Sequence, residues 1–119
     1  MHIGILARAK DRVAELTAAL GENGVEVSTK RSGATTIRAE VSVMTMHNAK
    51  GMEFTHVILA GVSDKAVPMM SLAKGLPDAE RDDFLQRERA LLYVAASRAR
   101  DELVITTAGD PSELLPKLA

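Results

Sequence analysis

The chain contains no cysteine and no tryptophan, and only one tyrosine and two phenylalanines. Without cysteine there is neither a disulfide framework nor a thiolate zinc site, a composition that fits a reducing, cytoplasmic setting. No apolar run approaches the length needed to cross a bilayer. The N-terminus, MHIGILARAKDRV, lacks the apolar core and small-residue cleavage site of a signal peptide. Neither charge is in real excess: 15 Lys and Arg face 16 Asp and Glu, a formal net charge of −1. Binding to nucleic acid therefore requires a local patch. A soluble intracellular protein with no membrane contact is expected. Catalytic signatures are missing too. There is no GxSxG, no HExxH and no Gly-Lys dipeptide, so the phosphate-cradling GxxxxGK[ST] is absent. His2, His47 and His56 form no metal constellation, and no metal site is expected.

What is present suits one domain spanning 1–119, with 46% hydrophobic residues to build a core. HIGILAR reads as a buried strand. AKDRVAELTAALGENG then shifts to helical spacing, with Val13, Leu16, Ala19 and Leu20 on one stripe and Gly21 or Gly24 as the stop. VEVSTK, EVSVMTMH, THVILAGV and DELVITT are further strands. RSGATTIRAE is a loop, and Pro68, Gly75 and Pro77 mark an irregular connection. RDDFLQRERALLYVAASRA is a helix, and PSELLPKLA a tail whose Pro111 suits a first helical turn. Strands alternating with helices predict an α/β fold with a mainly parallel sheet.

In such sheets ligands bind beyond the C-terminal ends of the strands. Thr45 and His47 fall at that end of EVSVMTMH, on the side of Val41 and Val43 by period-two alternation. They are either a binding edge or a capping Thr beside a solvated His. In KGMEF, Gly51 permits an unusual backbone or a close ligand approach. Met52 and Phe54 read as core anchors, leaving Lys50 and Glu53 as a phosphate-and-hydroxyl-binding pair or simply as turn charges. In the long helix, Leu91 and Arg98 point within about 20° of each other, so Arg98 continues the apolar stripe. Either it snorkels at the helix C-terminus, or it is held rigid to meet an anion supplied from elsewhere.

TMHNAKGMEFTHVILAGV followed by RERALLYVAASRARDELVI resembles the last two conserved motifs of UvrD/Rep-like superfamily 1 DNA helicases, T-x-H-x-x-K-G-L-E-F and E-R-R-L-x-Y-V-x-x-T-R-A. IGILARAKDRVAELTAALGENGVEV looks like the strand–helix–strand that opens the same domain, so the resemblance covers nearly the whole chain. It implies a RecA-like three-layer sandwich without its own P-loop, the second of two motor domains that bind ATP and Mg2+ between them. By the resemblance, Gly51 and Glu53 would meet the nucleotide, with Glu53 at the ribose. Arg98 would be the arginine finger at the γ-phosphate. Thr45, His47 and Lys50 would serve the DNA track, Lys50 coupling it to the nucleotide, and Arg8 would match an arginine near DNA. The partners implied are single-stranded or partly duplex DNA and the N-terminal RecA-like domain, in the cytoplasm, or on the nucleoid in a bacterium.

The sequence departs from the family in places. Ala9-Lys10 stands for the usual Thr-Asn after Arg8, Met52 for Leu, Ser97 for Thr and Ala90 for Arg. Only STKRSGATTIRAE fills the gap where relatives often insert an accessory subdomain. Few aromatics mean that DNA contact would be to the backbone rather than by base stacking. Two other readings compete: a stand-alone DNA- or partner-binding module without ATPase activity, and an acid–base enzyme using His47 and Glu53.

Overall fold

The apolar run Ile3–Ala7 becomes β1, the central strand of a five-stranded sheet, in a computed structural model that describes residues 2–29 and 40–115. The other strands are β2 (Val27–Thr29), β3 (Val41–Thr45), β4 (Phe54–Leu59) and β5 (Ala99–Ile105). All pairings are parallel, in the order β2-β3-β1-β4-β5. Helix α1 (Lys10–Glu22) follows β1, and helix α2 (Asp78–Ala96) joins β4 to β5. The two crossovers run toward opposite edges of the sheet, and right-handed connection then puts α1 and α2 on opposite faces. This is the mainly parallel α/β arrangement that the alternating pattern predicts.

The main core lies between the sheet and α2. Alternation turns Leu6, Met44, Val57 and Leu59 to one face, where they pack with Leu92 and Ala95. Phe54 is 2% exposed in this cluster, a burial that stabilises by about 1.5–3 kcal/mol. Its ring needs Gly4: a Cβ there would come within 2.7–2.8 Å of Phe54 ring atoms. The opposite face, with Ile5 and Val43, lies under α1, whose contacts are to β1, β2 and β3. No residue of α1 is fully buried, and its inner stripe is Val13, Leu16, Thr17 and Leu20. Thr17 takes the place expected of Ala19, and its hydroxyl donates to the Val13 carbonyl at 2.7 Å.

Several boundaries move relative to the sequence reading. β3 stops at Thr45, and His47–Ala49 forms a 3-10 turn, so the strand alternation never reaches His47. α2 begins three residues before Arg81 and ends at Ala96, so Arg98 sits in the turn beyond the helix. β5 starts at Ala99, two residues before the expected DELVITT strand, and ends at Ile105, with Asp101 and Glu102 exposed along it. Pro111 does not start a helix. It bridges antiparallel to Ser63, and the described tail after it forms only turns. The last residue of VEVSTK, residues 31–39 of the expected loop and residues 116–119 of the tail lie outside the described residues.

Candidate functional site

The stretch Thr45–Phe54 leaves the C-terminal edge of β3 and enters the N-terminal edge of β4. The strands are parallel, so these ten residues run back across the full height of the sheet. Candidate groups therefore gather at two opposite edges.

At the N-terminal edge, Phe54 is paired with Ala99, so Glu53 and Arg98 stand side by side as their chains enter the ladder. The Phe54 amide donates to the Arg98 carbonyl at 2.9 Å, which ties the two segments at this point. Gly51 has φ +79°, a left-handed turn that glycine adopts without strain. It lets Met52 pack on the core while Lys50 and Glu53 remain exposed. The Arg98 guanidinium touches only neutral oxygens: Val94 O at 3.3 Å, Ser97 Oγ at 3.2 Å and Met52 O at 3.5 Å. Among the described residues it forms no ion pair. Long contacts to uncharged acceptors orient the group without neutralising it, so it can still meet an anion.

At the C-terminal edge, Thr45 is buried and its hydroxyl accepts from the Asn48 amide at 3.2 Å, fixing the turn that carries His47. His47 is exposed, yet nearby protein atoms strip part of its hydration and hold its pKa below the ordinary 6.5. The Arg8 guanidinium adds repulsion in the same direction, and Glu88 opposes both. Both effects favour the neutral ring. A cavity of about 230 Å³ opens beside this edge between Arg8, Arg12, Lys65 and Met69.

Arg8 continues the alternation of Gly4 and Leu6 and turns toward α2. There it meets Glu88. Nε donates to the two carboxylate oxygens at 2.9 and 3.1 Å, and Nη2 donates at 2.9 Å. The Met69 amide donates to the same carboxylate at 2.8 Å. The two side chains are 10% and 5% exposed, so this is a buried, bidentate pair between residues 80 apart in the chain. Glu88 was not singled out from the sequence. Its signal was there, because Phe84, Glu88, Leu92 and Ala95 are the buried positions of α2 and recur at helical spacing. The stripe expected through Leu91 and Arg98 was slightly out of phase: Leu91 is half-buried, whereas Val94 is 36% exposed.

The expected residues are divided between the two edges. Glu53 and Arg98 come together at one edge, Thr45 and His47 at the other, and the segment holding Lys50 and Gly51 runs between. Arg8 lies at the second edge with its guanidinium already engaged. Among the described residues no group of three His, Cys, Asp or Glu side chains is arranged to hold a metal, and no helix is long and apolar enough to cross a membrane.

A mainly parallel α/β domain without a phosphate-loop sequence is the class that this sheet defines. Residues 7–110 match the model of the UvrD-like helicase C-terminal domain, and the chain belongs to that family. Among curated proteins, it is 41% identical over 68 residues to the ATP-dependent DNA helicase PcrA of Staphylococcus aureus (strain Mu50) and 40% identical over 68 residues to PcrA of Staphylococcus epidermidis. Each match covers 57% of this chain and 9% of the relative, so the shared segment is a small part of those helicases. Among solved structures, it is similar to the C-terminal domain of a possible DNA helicase from Lactobacillus plantarum WCFS1. That likeness has a TM-score of 0.64 and 26% identity, over 94% of this chain and 59% of the other.

Proposed function

We propose that this chain is the second motor domain of an ATP-dependent superfamily 1 DNA helicase or translocase, supplying half of a shared ATP site and part of a single-stranded DNA track. The observation that supports this most is the pairing of Phe54 with Ala99, which sets Glu53 beside an arginine that has no carboxylate partner among the described residues. Glu53 accepts hydrogen bonds from the ribose. Gly51 keeps the backbone close to the nucleotide. Arg98 extends to the γ-phosphate and stabilises the charge that develops during phosphoryl transfer. The phosphate loop and the Mg2+ ligands come from the first motor domain, and the ion there would neutralise phosphate charge.

DNA runs along the other edge. His47, whose neutral form is favoured by lost hydration, offers a hydrogen bond rather than a charge, and Thr45 contributes by fixing its turn. Lys50, exposed on the connecting segment, links the two edges. Cleft closure on ATP and reopening after hydrolysis would then move the track.

The test is Arg98→Ala in the protein with both motor domains. Hydrolysis should fall by about 10³–10⁵-fold while a fluorescent ATP analogue still binds. Unchanged turnover would sink the assignment. Titrating single-stranded DNA against salt gives a second check: a backbone track requires affinity to fall linearly in log–log form.

A further inference from the structure

The two edges need a physical link, and the buried pair Arg8–Glu88 is placed to be one. Arg8 leaves the C-terminal end of β1, beside Thr45 in the β1–β3 register, where Ala7 pairs with Thr45. Glu88 stands mid-way along α2, ten residues before Arg98. Its carboxylate also holds the Met69 amide, in the connection that leads from β4 to α2. Three separate segments therefore converge on one carboxylate. His47, a candidate nucleic-acid group, senses both members of the pair electrostatically.

We infer that Glu88 is a positioning residue: with Arg8 it forms a strut that transmits movement at the nucleic-acid edge into α2 and so into the placement of Arg98. This rests on the motor-domain reading above. Arg8, taken by resemblance as a DNA contact, instead acts through Glu88. A bidentate guanidinium–carboxylate pair is directional, so it passes on displacement as well as load. A less directional apolar contact of the same volume preserves stability but yields sideways. Stability and coupling can therefore be separated.

The experiment uses the protein with both motor domains and compares turnover with and without single-stranded DNA. Glu88→Gln keeps the shape and an acceptor for the Met69 amide but removes the charge. DNA-free turnover should stay within about twofold, while the DNA-stimulated rate drops about tenfold, roughly one factor of ten in an equilibrium or rate constant. Arg8→Met with Glu88→Leu replaces the pair by apolar groups. It should keep the thermal midpoint and lose most of the stimulation. Equal loss of both rates in Glu88→Gln, or full stimulation in the stably folded double variant, overturns the strut. If the unmodified protein hydrolyses no ATP, the motor-domain reading falls instead. The strut is then judged on the 119-residue chain by the NMR signal of Arg98 Nε: a shift on Glu88→Gln supports it, and an unmoved signal refutes it.

Discussion

Arg8 and Arg98 are both partly buried arginines near the end of a helix or strand, yet they are held in opposite ways. Arg8 is paired with a carboxylate through Nε and Nη2 at 2.9–3.1 Å. Arg98 has only neutral oxygens at 3.2–3.5 Å. A cation that has been desolvated needs a counter-charge. Arg8 finds one inside the domain, and Arg98 finds none among the described residues. The first arrangement builds structure. The second leaves the guanidinium free to take an anion from outside the domain.

Two substitutions should break this comparison cleanly. Arg98→Ala carries the largest expected effect, the loss of hydrolysis described above, with little change in unfolding because its contacts are long and uncharged. Glu88→Ala should do the reverse in kind: it strands the Arg8 charge and the Met69 amide and destabilises by about 3–5 kcal/mol. Chemical denaturation of the two variants of this chain checks both halves. If Arg98→Ala unfolds as readily as Glu88→Ala, Arg98 is structural and the contrast is wrong.

A smaller effect sharpens the contrast at the N-terminal edge of the sheet. Gly51→Ala meets no neighbouring atom but places a Cβ at φ +79°, a strain worth roughly 1–2 kcal/mol. The expected result is a modest loss of stability together with weaker ATP binding in the two-domain protein, because Lys50 and Glu53 swing with the turn. Nucleotide affinity equal to that of the unmodified protein would show that Gly51 serves only the fold.

Much of this was legible in the sequence, for identifiable reasons. Apolar runs such as Ile3–Ala7 and Val41–Thr45 are nearly continuous because both their faces are covered, so the strands announced themselves. The segment Thr45–Phe54 drew attention through its glycine and its mix of charges, and it does connect the two edges. Glu88 opens the E-R-R-L motif but drew no role, since a glutamate in a helix reads as solvated until its partner is known. That partner lies 80 residues away, brought near by sheet order rather than by local spacing. The helix stripe was out of phase because Arg98 was counted as helical, whereas the chain turns after Ala96 to enter β5. The placement of His47 was misjudged by one turn: the Thr45 hydroxyl caps the Asn48 amide and ends the strand, a local competition that residue pattern does not reveal.

The smallest expected effect reads the same contrast through a proton. His47 is held below its ordinary pKa by lost hydration first, then by Arg8, while Glu88 pulls the other way. Its folded pKa lies under the unfolded one, so the unfolded state binds the proton more readily. Stability is therefore unaffected well above pH 6.5 and declines as pH falls through that value toward the folded pKa. Glu88→Gln removes an attractive charge and should lower the His47 midpoint further. Arg8→Met removes the repulsive one and should raise it toward 6.5. Arg98→Ala, at the far edge of the sheet, should leave it in place, at a separation where solvent screening dominates. Imidazole NMR titration of the three variants measures all of this directly. A midpoint that moves with Arg98 but not with Glu88 would mean that His47 belongs to the nucleotide edge, and the division of the domain into two edges would have to be redrawn.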